Sequence, residues 1–285
     1  MKASDSLIKI ATHQVPLRVE KQRLQEYAVG IFDRLPTRSS VKKAIKKGWL
    51  FIDAEVGQTA DWILGGEVIE LYAPPETHKA GPVISLKVLY EDEFLAIVNK
   101  PAGILVSGNK HRTVARGLCG YLQPSDATGA LLEPKPVHRL DFATTGALLI
   151  GKTAPVLSAF NTLFEEKQIR KSYLAVTSGR MENQGEIDIA IDGKASHTRY
   201  EKLATIASTA FEYLNLVWLQ PRTGRRHQLR KHLAAIGNPI FGDKRYGPAD
   251  QSSKGRPLYL HAYSLAFAHP EIGNALEVKA PVPES

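Results

Sequence analysis

Cysteine is nearly absent from this chain. Cys119 stands alone, which excludes an internal disulfide framework and any metal centre built on clustered thiolates. Val114, Leu118 and Leu122 surround it at helical spacing, so a buried, structural thiol is expected there. Long apolar runs are missing too. No stretch approaches the roughly 18 consecutive apolar residues of a membrane span, and the amino-terminal residues lack the apolar core of a signal peptide. A reduced, cytoplasmic protein is expected. Acidic residues are the scarcer charge, with 29 Asp and Glu against 37 Lys and Arg, giving a net charge of +8. That excess favours a polyanionic partner but leaves RNA, DNA and acidic membranes open. What remains, at 43% hydrophobic and 23% charged residues over 285 positions, is the make-up of an ordinary globular protein with one large domain or two unequal ones.

Residues 1 to 18 carry little periodic signal and read as a short arm. Leu24, Tyr27, Ala28, Ile31, Phe32 and Leu35 then fall on one helical face that Pro36 ends. Thr37 or Ser39 can cap a second helix, with Val41, Ala44 and Ile45 inward and Gly48 as the stop. Trp49 to Ile52 reads as a strand, turned at Asp53-Ala54 into Glu55-Val56. On the second helix Arg38, Lys42 and Lys46 stand four apart, with Lys43 and Lys47 alongside. Like charges at that spacing cost stability unless a polyanion faces them, although a solvated face has the same appearance. The proline-rich stretch from Ala73 to Pro82 reads as a linker. The expected layout is a small amino-terminal unit over 1–73, a linker over 74–85 and a larger domain over 86–285.

The larger domain is organised around Val137-His138-Arg139-Leu140-Asp141-Phe142-Ala143-Thr144-Thr145-Gly146, followed by the apolar run Ala147 to Ile150. The run reads as a buried strand, and Gly146 as a backbone position where a side chain would not fit. A charged tetrad on a short loop against a rigid strand is where a reactive carboxylate is well positioned. The same pattern also describes a plain loop ion pair. Upstream, Phe94 to Val98 reads as a central strand entering a turn at Lys100-Pro101-Ala102-Gly103. Downstream, Thr153 and Pro155 open a helix carrying Val156, Ala159, Phe160, Leu163 and Phe164, and Ile169 to Val176 reads as a strand. Residues 182–210 read as strands and turns without chemistry, and Phe211 to Leu219 as a strand covered on both sides. Thr223 or Gly224 opens a last helix with Leu229, Leu233 and Ile236 inward, closed by Gly237.

Several stretches carry a family likeness. His138-Arg139-Leu140-Asp141 with Thr144-Thr145-Gly146 resembles the signature of the RluA-type RNA pseudouridine synthases. Lys100-Pro101-Ala102-Gly103 resembles their first motif, and Gly224-Arg225-Arg226-His227-Gln228-Leu229-Arg230 their third. Lys171-Ser172-Tyr173 matches the family's Lys-x-Tyr, and the pattern continues through Asn238 to Gly247 and Leu260-His261-Ala262. The amino-terminal unit resembles, more loosely, the S-four-like RNA-binding module that often precedes this catalytic domain. The departures are Phe142, where the family usually has a polar or charged residue, and Thr145, where serine is common.

The resemblance implies an α+β catalytic fold with a mixed, largely antiparallel sheet, plus a small amino-terminal α/β module. It implies an isomerase that swings a uridine out of structured RNA, detaches the base and rebonds it through carbon. Asp141 would be the indispensable carboxylate, either attacking the anomeric carbon or removing the 2′ proton. Tyr173 would lie against the target base, and Arg230 would pair with Asp141. Such pairing is physically sensible, because a guanidinium offsets the tendency of a water-sheltered carboxylate to take up a proton. Candidate substrate-binding residues are His138, Arg139, Lys100, Thr144, Arg225, His227 and Gln228, with Arg38, Lys42 and Lys46 on the amino-terminal unit. Arg139 could fill the vacated space in the RNA or hold a phosphate. No cofactor or metal is expected, since the reaction is neither redox nor hydrolytic. Ribosomal RNA is the first expectation for substrate and transfer RNA the second, with a monomer as default. Competing readings are a non-catalytic RNA-binding or ribosome-assembly protein, and a metal site from His138, Asp141, His227 and His232. The second is disfavoured because His227 and His232 are five apart and point to different helical faces.

Overall fold

The computed structural model describes residues 7–32, 34–73, 84–118, 121–248 and 256–283. Cys119 and residues 74–83 of the expected linker lie outside the described residues. The chain divides into two units, Met1–Lys79 and Ala80–Ser285.

In the first unit, strands β1 (Ile8–Gln14), β2 (Leu50–Ile52), β3 (Glu55–Val56) and β4 (Val68–Ala73) form an antiparallel sheet in the order β1-β4-β2-β3. Helices α1 (Leu24–Tyr27) and α2 (Arg38–Lys46) supply the rest. The expected arm is in fact β1, which no local periodicity announces because its pairing with β4 is what orders it. The expected first helix is a single turn. Leu24, Ala28, Phe32 and Leu35 are nevertheless all buried, since successive turns can bury the same spacing that a helix does. Helix α2 forms as its sequence dictates. The Thr37 hydroxyl accepts from the Ser40 amide at 3.2 Å, Val41, Ala44 and Ile45 are buried, and Gly48 leaves the helix at φ +66°. Lys42, Lys43, Lys46 and Lys47 are exposed, whereas Arg38 bonds Glu26 at 2.7 Å.

The second unit is built on a ten-stranded sheet. Its strands are β5 (Lys87–Glu91), β6 (Leu95–Lys100), β7 (Ala130–Pro136), β8 (Thr145–Thr153), β9 (Arg170–Ser178), β10 (Gln184–Ile187), β11 (Thr198–Ser208), β12 (Glu212–Pro221), β13 (Leu260–Ala268) and β14 (Ala275–Lys279). The order is β10-β11-β12-β9-β13-β8-β6-β5, with β14 beside β13 and β7 beside β8. Among the described strands, β13 and β8 run parallel and the other pairs antiparallel. This is the α+β fold with a mixed, largely antiparallel sheet that the sequence resemblance implies.

The centre of the sheet is covered on both faces. Leu95 and Ile97 of β6 pack with Ala147 and Leu149 of β8 in one cluster, while Ala96 and Val98 pack with Leu148 and Ile150 in another. A strand buried on both sides needs no polar alternation, which is why Ala147 to Ile150 is unbroken. Burying each such Leu or Ile contributes about 2 kcal/mol. The packing reaches back to Ile84, 3% exposed and ahead of the expected domain start. Helices α3 (Val114–Gly117), α4 (Ala154–Glu165) and α5 (Gln228–Ala235) complete the unit. Thr153 caps α4 by accepting from the Val156 amide at 3.3 Å.

Two expectations are corrected here. Strand β12 is covered on one face only: Val217 and Leu219 are fully buried, but Leu216 on the opposite face is 38% exposed. Asn215, which reads as an interruption, is buried, accepting from Thr205 Oγ1 and donating to the Gly179 carbonyl, both at 2.8 Å. Helix α5 begins at Gln228 instead of at Thr223 or Gly224, and Ile236 lies past its end, 36% exposed. The residues ahead of α5 form a loop that closes on His227, whose φ of +55° is left-handed.

Candidate active site

The loop from β7 to β8 carries Asp141, and a buried lysine shapes it. Lys100 ends β6 opposite Gly146. Its ammonium donates to the carbonyls of Pro101 at 2.9 Å, Phe142 at 3.3 Å and Thr144 at 2.7 Å. The Gly103 amide also donates to the Phe142 carbonyl at 2.9 Å, and the Thr144 amide to that of Asp141 at 3.1 Å. Burial pushes the Lys100 ammonium down to about 8, partly offset by the charge of Asp141. Lys100 is fully buried with its three protons placed, so it organises the Asp141 loop and has none to offer a substrate. The loop is further fixed by Gly146, at φ +111°, where a Cβ would lie 2.2 Å from the Ala262 carbonyl oxygen. Only glycine permits the close approach of β8 and β13 at that point.

Asp141 faces α5. Arg230 Nη1 donates to its Oδ2 at 3.4 Å, and His227 Nε2 lies 3.7 Å from its Oδ1. The stronger partner of Arg230 is Asp243, which accepts from Nε at 2.7 Å and from Nη2 at 2.8 Å. That forked pair sets the guanidinium plane and leaves one nitrogen for Asp141. Asp243 also accepts from the amides of Arg245 and Tyr246 at 2.9 and 3.1 Å. Burial alone would raise its pKa, but these bonds and the Arg230 charge outweigh burial and hold it below the usual range. His227 Nδ1 meets the Tyr246 hydroxyl at 2.9 Å, and the Tyr246 ring lies 5.0 Å from the Arg230 guanidinium. Burial and the surrounding arginines keep His227 below its ordinary pKa despite Asp141.

These groups border a cavity of about 370 Å³, large enough for a single nucleotide. Asp141 is the one carboxylate among its lining residues, against Arg139, Lys171, Arg225, Arg226 and Arg230. Tyr173 of β9 lines it too, its phenol pushed up by burial and by Asp141, so the hydroxyl keeps its proton. The Thr144 hydroxyl is buried with no partner, at a position that lines the same cavity.

The sequence candidates are thus mostly brought together, in differing circumstances. Arg139 and Arg225 are exposed, Arg225 anchored through Nε to the Ala195 carbonyl at 3.2 Å. His138 lines the wall with Nε2 accepting from the Leu149 amide at 3.2 Å. Burial, with the charge of Lys171, pushes it down to about 4, so the ring is neutral and its proton sits on Nδ1. The side-chain amide of Gln228 is consumed internally. Its oxygen accepts from Thr223 Oγ1 and the Arg225 amide, and its nitrogen donates to the His197 carbonyl and Thr198 Oγ1. It therefore shapes the 223–228 loop. Arg38, Lys42 and Lys46 belong to the other unit. Sequence reasoning assigned nothing to Asp243, Tyr246, Phe164 or the side chain of Lys171. Asp243 stood in the Asn238 to Gly247 stretch that continues the family pattern, but nothing there marked it as the partner of Arg230.

His138, Asp141, His227 and His232 do not converge as metal ligands. His232 is buried, donating through Nε2 to the Ile189 carbonyl at 2.9 Å and accepting at Nδ1 from Thr198 Oγ1 at 3.0 Å.

A carboxylate lining a cationic, nucleotide-sized cavity, on this sheet, is the arrangement that the resemblance to RNA pseudouridine synthases implies. Residues 94–235 match the RNA pseudouridylate synthase family. The chain is 32% identical to ribosomal large subunit pseudouridine synthase D of Xanthomonas campestris over 87% of its length and 82% of that protein's. It is 28% identical to ribosomal large subunit pseudouridine synthase C of Rickettsia bellii over 92% and 94%. The structure is similar to that of human RNA pseudouridylate synthase domain containing 1, with a TM-score of 0.59 and 27% identity, covering 71% of this chain and 86% of that one. The chain belongs to the RNA pseudouridylate synthase family, and it is an enzyme of that class. No helix among the described residues is long and apolar enough to cross a membrane.

Proposed function

We propose that this enzyme converts uridine to pseudouridine in large-subunit ribosomal RNA, with Asp141 as its catalytic carboxylate. The observation that carries the assignment is Asp141 in the cavity lining, with its Oδ2 3.4 Å from the Nη1 of an Arg230 already oriented by Asp243. The ribosomal substrate is supported by the relatives named above. The target uridine must leave its stack to bring its glycosidic bond to Asp141, and a flipped base reads naturally into a pocket of this size. Asp141 acts at the sugar, through attack at C1′ or removal of the 2′ proton. Tyr173 offers a flat, neutral face to the base, and Thr144 an unspent hydroxyl. Exposed Arg139 and Arg225 suit the RNA backbone at the mouth. The cationic face of α2 suits an anchoring role for the amino-terminal unit.

Tritium release from C5-labelled uridine tests this directly. Wild-type protein should release tritium from total ribosomal RNA, and Asp141→Asn should release none. Release from total transfer RNA alone would move the substrate, while release that persists in Asp141→Asn would remove the assignment of Asp141.

A further inference from the structure

Lys171 is a mostly buried cation to which no partner has been given. It makes no hydrogen bond or ion pair among the described residues, and it lines the cavity. The Phe164 ring lies 5.5 Å from its ammonium. Gly224 is also near, since a Cβ built there would lie 3.9 Å from Nζ. Burial lowers its pKa, with no carboxylate acting the other way. An unpaired, desolvated ammonium is costly to keep, so stability does not account for it. Arg139 and Arg226 also lack side-chain partners, but both are exposed and solvated.

Two anions could meet an interior ammonium here: a backbone phosphate or the base itself. Arg139, Arg225 and Arg226 are exposed and suit the backbone, whereas Lys171 stands two residues from Tyr173 on the same face of β9. It therefore belongs at the edge of a base lying against Tyr173. When the C1′–N1 bond breaks, both bonding electrons stay with the base, which becomes a uracil anion with charge spread over N1, O2 and O4. Asp141 meanwhile gains the bond to C1′ or the 2′ proton. The base then turns and its C5 bonds to C1′ as Asp141 releases C1′ or returns the 2′ proton, which makes the base neutral again; one proton then leaves C5 for solvent and another is taken up at N1. We propose that Lys171 is a catalytic residue whose ammonium pairs with a carbonyl oxygen of the uracil while the detached base is anionic. Such a contact is stronger in the transition state than in the bound substrate, which is what accelerates a chemical step. The proposal rests on the reading of Asp141 above.

The test compares wild type, Lys171→Met and Lys171→Arg on ribosomal RNA under single-turnover conditions, with RNA affinity measured across a salt series. Lys171→Met should slow turnover about 100-fold, leave affinity and its salt slope unchanged, and be partly rescued by Lys171→Arg. Its defect should shrink for consumption of 5-fluorouridine in the same RNA, since fluorine makes the base a better leaving group. A salt slope lower by about 1 with turnover intact would reassign Lys171 to a phosphate, and wild-type rates in Lys171→Met would end the idea outright. Should Lys171→Met lack a wild-type melting profile, Lys171→Gln carries the same readouts. The two readings fail separately: tritium release that persists in Asp141→Asn removes the assignment of Asp141, whereas loss in Asp141→Asn but not in Lys171→Met removes only this one.

Discussion

Asp243 shows how much of this site hangs on a residue outside the cavity lining. Its side chain is fully buried, and it fixes the plane of Arg230 with a fork at 2.7 and 2.8 Å. Removing it strands a buried guanidinium beside Asp141, and Asp243→Ala should cost about 3 kcal/mol or more in urea unfolding. Its folded pKa lies below the unfolded one, so its stabilisation is present above the ordinary carboxylate range and is lost as pH falls through the folded value. His138 makes a second acid-sensitive contribution. The folded ring takes up a proton only near pH 4 against 6.5 for the free group. Between those values the unfolded chain binds more protons. Stability is therefore highest above about pH 6.5 and declines toward pH 4, by about 3 kcal/mol from this group. His138→Phe removes the titration, so its unfolding free energy should vary less steeply over that window. An unchanged slope would mean that the ring is not held neutral.

At the scale of elements, what is legible in the sequence depends on whether a neighbour decides it. Strand β8 is written in its own residues, because an unbroken apolar run has one stable home between two cores. Helix α2 is written in its cap, its buried stripe and its glycine stop. Strand β1 is not, since it exists through its register with β4. The start of α5 was misplaced because residues 222–227 are held by remote groups such as His197, whose amide accepts no helical role but donates to Thr223 Oγ1 at 3.1 Å. The site divides the same way. Asp141, Tyr173 and Arg230 stand in short motifs, whereas the Asp243 fork and the unpartnered Lys171 appear only when distant strands and loops meet. Gly146 joins both levels, being visible in sequence and explained by packing. Gly146→Ala would drive a Cβ into the Ala262 carbonyl at the β8–β13 pairing, and backbone on both sides cannot yield. A loss of at least about 3 kcal/mol is expected in thermal or urea unfolding. A variant of wild-type stability would mean that the two strands can part without harm.

For the whole molecule, the net charge of +8 is spent in two different ways, and salt separates them. The lysines of α2 are exposed, and like charges four apart on a helix repel by about 0.2–0.5 kcal/mol per pair when nothing faces them. RNA phosphates relieve that repulsion and release counterions, which makes binding fall with salt. The double variant Lys42→Gln/Lys46→Gln should therefore fold as well as wild type, within about 0.5 kcal/mol. Its RNA affinity should drop, and the slope of log affinity against log salt should shrink by about 1.4–1.8 for two lost phosphate contacts. An unchanged slope would make the face a solvated surface and leave RNA anchoring to the catalytic unit. Lys171→Met is expected to do the reverse, losing turnover while the slope holds. The two outcomes together would assign RNA anchoring to exposed cations through counterion release, and to the mostly buried Lys171 a charge that exists only while the base is detached.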